Sequence, residues 1–179
     1  ALPELVTSPR PIPVGASQTG ASQAVDAALG KIASNGSPKE FAFNLVNSLA
    51  NQLGAEQVGF GAHNAGRIQV IAISSIADFK ANSPGVALMQ QSMEECLDHK
   101  GVILHQPGAV SQDGTQFAIH RRWAIEAGGA CLFSVPLNDA DGVVAIVSIR
   151  RPANRPFAKE ELAGLMQMLQ PYGSALRML

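Results

Sequence analysis

Hydrophobic positions along the chain change period several times, and each change marks an element. Across residues 41–53, Phe41, Leu45, Val46, Leu49 and Leu53 recur at helical spacing and form one apolar stripe. Ser37-Pro38-Lys39-Glu40 supplies a cap, a first-turn proline and a third-position glutamate ahead of it, and Gly54 a left-handed stop behind. Residues 55–63 and 67–76 flank Asn64-Ala65-Gly66 and read as a hairpin. Gly59 and Gly61 in its first strand leave room for either a close-packed helix or a cavity wall, packing being the commoner use. Ser83-Pro84 opens a second helix over 83–99, with Val86, Met89, Met93, Cys96 and Leu97 along one side and Gly101 as its stop. A short strand over 102–105, a polar loop over 106–116 and a helical segment over 117–126 follow.

Gly128-Gly129 releases the chain into a second hairpin, with an apolar strand over 129–137 and a reversal rich in Asn, Asp and Gly at 138–142. The returning strand, 143–149, carries Val143, Val144, Ile146, Val147 and Ile149 with almost no polar alternation. Such a strand is covered on both faces and central in its sheet. Pro152 and Pro156 end it, and residues 157–179 place Leu162, Leu165, Met166, Leu169, Leu176 and Leu179 at helical spacing, with Pro171 expected to bend the helix. At the other end, residues 1–20 hold four prolines among Ser, Thr and Gly and read as a linker, while 21–35 read as a short helix carrying Val25, Ala28, Leu29 and Ile32 on one face. Strands and helices mixed in this order predict an α+β domain over 36–179.

The succession Val135-Pro136-Leu137, a short acidic turn, an apolar strand, Arg155-Pro156-Phe157, and then Glu160-Glu161-Leu162 opening a terminal helix resembles a GAF domain. The resemblance covers about residues 36–179 and rests on hydrophobic patterns rather than on a catalytic signature. It implies a central antiparallel sheet with the terminal helices on one face. On the other face it implies a ligand pocket formed by helices and loops, between residues 77–128 and the strand over 129–137.

Composition narrows the function classes. The chain is 46% apolar with a net charge of −1, and its basic residues are scattered apart from Arg121-Arg122 and Arg150-Arg151. That leaves no footprint for a polyanion, so no nucleic-acid partner is expected. Two cysteines, Cys96 and Cys131, exclude a disulfide framework, and no apolar run reaches the length of a membrane helix, so no direct membrane contact is expected of this segment. The start at Ala1 suggests a domain cut from a longer protein; no compartment can be named.

The region that the resemblance assigns to the pocket holds the unusual residues. Phe117 and Trp123 can form one apolar wall or a core pair, and Trp123 can stack on a planar ligand. His120 and Arg121 can donate to a carboxylate, phosphate or carbonyl group, or simply lie on an exposed helix face. Cys131 and Phe133 alternate on one strand face and would floor the pocket if that face is turned to it; the plainer alternative for Cys131 is a buried structural thiol. The candidate ligand-binding set is therefore Phe117, His120, Arg121, Trp123, Cys131 and Phe133. Cys96, His99 and His105 lie close in sequence but make no zinc signature, and no metal is expected.

Neither the pattern of cyclic-nucleotide-binding GAF domains nor the chromophore cysteine segment of bilin-binding ones is visible, and two cysteines do not match the several used by GAF proteins that reduce methionine sulfoxide. No cofactor can be named and no catalytic constellation is legible. The expectation is a non-enzymatic sensory or regulatory domain that binds an unidentified small molecule. A homodimer is expected through the terminal helices at 22–33, 37–53 and 157–179. The alternatives are a ligand-free dimerisation or scaffold domain and, last, a redox enzyme using Cys131 or Cys96.

Overall fold

The computed structural model describes residues 36–109 and 116–177; the linker over 1–20, the helix expected over 21–35, most of the polar loop and the last two residues lie outside them. Helix α1 spans Pro38–Leu53, with Ser37 Oγ accepting from the Glu40 amide at 3.2 Å and Gly54 left-handed at φ 57°. Strands β1 (Gln57–Asn64) and β2 (Arg67–Ile73) form the first hairpin, reversed by Ala65 and Gly66, both at positive φ. Helix α2 runs Pro84–His99, and the left-handed stop is taken by Lys100 at φ 59° rather than by Gly101. β3 (Ile103–His105), α3 (Ala118–Glu126), β4 (Cys131–Asp139), β5 (Gly142–Arg151) and α4 (Lys159–Leu176) complete the order. Pro171 is accommodated within α4, which continues to Leu176.

The five strands form one antiparallel sheet in the order β2-β1-β5-β4-β3. β5 is central, and Ile146, Val147 and Ile149 are fully buried, as its unbroken apolar run predicts. Alternate residues serve two cores. On the back face Val58, Phe60, Val135, Val147 and Ile149 meet Phe41, Leu45, Leu165, Leu169 and Tyr172 of α1 and α4. On the front face Ile68, Val70, Leu132 and Ile146 meet Met89, Met93, Cys96 and Trp123 of α2 and α3.

One buried cation ties the back layer together. Arg151, 5% exposed, donates from Nε and Nη2 to the carbonyl of Leu53 at 3.1 and 2.7 Å, capping the end of α1. Its fork also grips Glu161 in the first turn of α4, Nη1 lying 2.8 Å from Oε2, and its guanidinium lies 4.6 Å from the Phe157 ring centroid. The guanidinium holds the Glu161 carboxyl below the usual carboxylate range, although partial burial acts the other way.

Candidate functional site

The front face is built around small residues in the middle of the sheet. Gly59 pairs with Ser148 across β1 and β5, and Ser148 pairs with Ser134 across β5 and β4. A Cβ on Gly59 would lie 2.3 Å from Met89 Sδ, and one on Gly61 would lie 2.5 Å from Met93 Sδ. The glycines therefore make room for two methionine side chains of α2, the close-packed-helix use. An unbranched thioether fills an irregular gap of this kind well. Trp123 of α3 closes the same layer at 4% exposure.

Among these apolar groups runs a chain of polar ones. Glu95 on α2 accepts from the amides of Ile119 and His120 at the start of α3, at 3.1 and 3.0 Å, so its carboxylate meets the positive end of that helix. Its Oε2 lies 2.6 Å from His120 Nδ1. His120 Nε2 lies 2.8 Å from Ser134 Oγ, which lies 2.7 Å from Ser148 Oγ. His120, Ser134 and Ser148 have no exposed surface.

An ionised carboxylate only accepts, which sets the direction of the whole chain. Nδ1–H donates to Glu95, Nε2 accepts from the Ser134 hydroxyl, and Ser134 in turn accepts from Ser148. Burial holds the His120 imidazole below its ordinary pKa even though the Glu95 carboxylate pulls it up. Burial pushes Glu95 up, but bonds from the His120 ring and from the two amides outweigh it and leave the carboxyl below its usual range. His105 is likewise held down, first by burial and then by the charge of Arg121.

Carboxylate, imidazole and hydroxyl stand here in the order of a hydrolytic triad, but the surroundings do not suit that chemistry. Ser134 Oγ is sealed from solvent and engaged by Ser148. Its strand is paired on both sides, to Ile103 and to Ser148, so ladder bonds occupy the backbone N–H groups that an oxyanion would need.

Of the residues singled out from the sequence, Phe117, His120 and Trp123 come together on the front. The Phe117 ring lies 6.3 Å from that of His120 and 4.8 Å from that of His99. Arg121 is exposed and lines a shallow 290 Å³ surface cleft with Arg122 and Ile125 on the outer side of α3. Cys131 and Phe133 do not join the set. Both point into the back core, where Phe133 packs on Phe157 at 5.8 Å, because strand alternation gives the front to Leu132 and Ser134. They cannot floor a pocket beside Trp123. A larger cleft, of 450 Å³, lies at the hairpin end of the sheet, beside His63, Asp139, Val144 and Arg177.

Glu95, Ser134 and Ser148 are site residues that the sequence reading missed. A signal for the serines is present: each interrupts an apolar strand, and they stand opposite one another across the hairpin. Glu95 carries no such mark.

Neither thiol is placed for chemistry. Cys96 is sealed, its Sγ donates to the Gly101 carbonyl at 3.2 Å, and burial pushes its pKa up to about 12. Cys131 is also buried and its pKa raised by burial. The native protein is expected to give no reaction with a disulfide reagent at mildly alkaline pH, and two equivalents after denaturation. Reaction of either cysteine in the native state would contradict this placement.

No family model matches the chain, and no curated protein matches it. Solved structures do. The A. aeolicus nlh2 GAF domain in an inactive state is 12% identical, with a TM-score of 0.58 over 90% of this chain and 95% of that one. The GAF domain of the Acinetobacter phosphoenolpyruvate-protein phosphotransferase is 12% identical, with a TM-score of 0.61 over 92% and 95%. Residues 122 to 287 of a methyl-accepting chemotaxis protein are 15% identical, with a TM-score of 0.59 over 84% and 95%. At these identities the likeness establishes a GAF-like fold.

Proposed function

We propose that this chain is a non-catalytic regulatory domain of GAF type within a larger protein, acting through the outer surface of its helical layer. The observation that carries the reading is the absence of charge there. Neither residues 41–53 nor 162–176 include a Lys, Arg, Asp or Glu, and their exposed positions include Asn44, Ser48, Asn51 and Gln52 on α1 and Met166, Gln167, Gln170 and Ser174 on α4. A solvated helix face ordinarily alternates charges, whereas depletion of charge is typical of the centre of an interface. A second copy of the chain is the partner this surface suits, through a helix-on-helix contact. The similar structures from a phosphotransferase and a chemotaxis protein support a signalling setting.

The absence of catalysis is supported by the sealed thiols and by the engaged, buried Ser134. Small-molecule sensing is the second reading, and one feature favours it. Met89 and Met93 are flexible side chains, and behind them lie hydroxyl and imidazole groups that a ligand displacing them could reach. A metabolite at one hundred times its Kd would then raise stability by about 2.7 kcal/mol, which a thermal-shift screen detects. The dimer is tested by light scattering coupled to size exclusion. The wild type is expected to be dimeric, and Met166→Glu combined with Gln170→Glu to weaken association by about tenfold or more. A monomer at every concentration would remove the proposal.

A further inference from the structure

Resting on that regulatory reading, we propose that His120 is a proton-binding site through which acidification loosens α3 and α2 from the front of the sheet. Glu95 belongs to α2, His120 to α3, Ser134 to β4 and Ser148 to β5, so one run of bonds crosses four elements through an otherwise apolar layer. Apolar residues of similar volume would pack there without polar groups to satisfy.

The chain has a direction, and a proton reverses it. With neutral His120, Nε2 is the acceptor at the ring's inner end. A proton delivered from solvent to Nε2 turns that end into a donor, and Ser134 Oγ must accept from it. The Ser134 hydroxyl proton then rotates towards Ser148 Oγ, and the Ser148 hydroxyl loses the acceptor it had. A cation and a displaced hydroxyl proton now lie among Leu132, Ile146, Met93 and Trp123, all at most 4% exposed. Opening the layer to water relieves both.

The charged and titratable groups around the ring define the balance. Glu95 of α2 favours the cation, and its side chain reaches solvent at 18% exposure. His105 of β3 opposes it when protonated, and burial first, then the charge of Arg121, the next residue of α3, lowers the pKa of His105. Cys96 of α2 stays a neutral thiol, and the His99 ring packs on Phe117, which in turn packs on His120. The two strands facing the ring contribute only hydroxyls. Because the folded-state pKa of His120 lies below the ordinary 6.5, the folded protein binds fewer protons than the unfolded chain. The stabilisation from a neutral His120 is present above 6.5 and is lost as pH falls through the lower, folded-state value.

The test is a pH titration of the intact chain, following the His120 ring nitrogens by NMR and the single tryptophan, Trp123, by fluorescence. At neutral pH the ring is expected as the Nδ1–H tautomer. It should take up its second proton below 6.5, in step with a red shift of Trp123 emission. Glu95→Gln, which removes the carboxylate, should move both midpoints down by about one pH unit or more. A ring that stays neutral until global unfolding would overturn the proposal. So would protonation with Trp123 emission unmoved, or a His120→Gln variant that keeps the wild-type Trp123 transition. Should His120→Gln fail to fold, the wild-type and Glu95→Gln titrations decide. Dimer formation at neutral pH is measured separately, so either proposal can fail while the other stands.

Discussion

Gly173→Ala is expected to destabilise the protein by a net of about 2 kcal/mol, while the same change at Gly164, nine residues earlier in the same helix, stabilises it by about 1 kcal/mol. The difference lies in what a methyl group would meet. At Gly173 a Cβ would lie 2.0 Å from the carbonyl oxygen of Asn138 and 2.7 and 2.9 Å from its C and N. Those are backbone atoms at the end of β4, so α4 itself must lift, losing contacts of Leu169, Tyr172 and Ala175 with the back core. Overpacking of that kind costs about 3 kcal/mol, against about 1 kcal/mol gained from better helix propensity. At Gly164 nothing lies within 4 Å of the added atom, and only the gain remains. Urea denaturation of the two variants reads the sign directly. A Gly173→Ala protein as stable as the wild type, to within about 0.5 kcal/mol, would mean that α4 does not sit on β4 as described.

Arg151→Ala is expected to cost more, about 3 kcal/mol. The guanidinium is 5% exposed and satisfies three groups at once: the Leu53 carbonyl, the Glu161 carboxylate and the face of Phe157. Its removal leaves a carboxylate 30% exposed without its ion-pair partner, with only the charge of Arg155 still acting on it, and a helix-end carbonyl without its Arg151 donors. The exposure of Glu161 keeps the figure at the low end of the range for a broken buried pair. Arg151→Lys should recover less than half of the loss, because a single ammonium cannot hold the carbonyl and both carboxylate oxygens together. Full recovery by lysine in the same urea experiment would show that charge alone, and not the fork, matters here.

Much of this architecture is legible in the chain because local rules and tertiary packing agree. Helix α1 has its cap, its stripe and its glycine stop, and all three are used. The continuous apolar run of β5 marks it as central, and it is. Which strand face turns to which layer is less legible. Residues 131–137 are apolar at both parities of the alternation, so nothing but Ser134 distinguishes front from back, and Cys131 and Phe133 fall on the side away from Trp123. His120 can be singled out from the sequence, but its carboxylate partner cannot, because Glu95 reaches it only through the packing of α2 beside α3. Gly59 and Gly61 admit two uses on sequence grounds, and the methionines of α2 decide between them.

The face of the sheet that the GAF resemblance assigns to a ligand is occupied by the chain's own side chains. Nuclear Overhauser contacts from the Met89 and Met93 methyl groups measure it most directly. Strong contacts from Met89 to the Gly59 α-protons and from Met93 to those of Gly59 and Gly61, in protein free of any added compound, are the result expected. Methyl groups with no contact to either glycine, together with a Trp123 readily quenched by acrylamide, would show an open hollow in front of the sheet and contradict it.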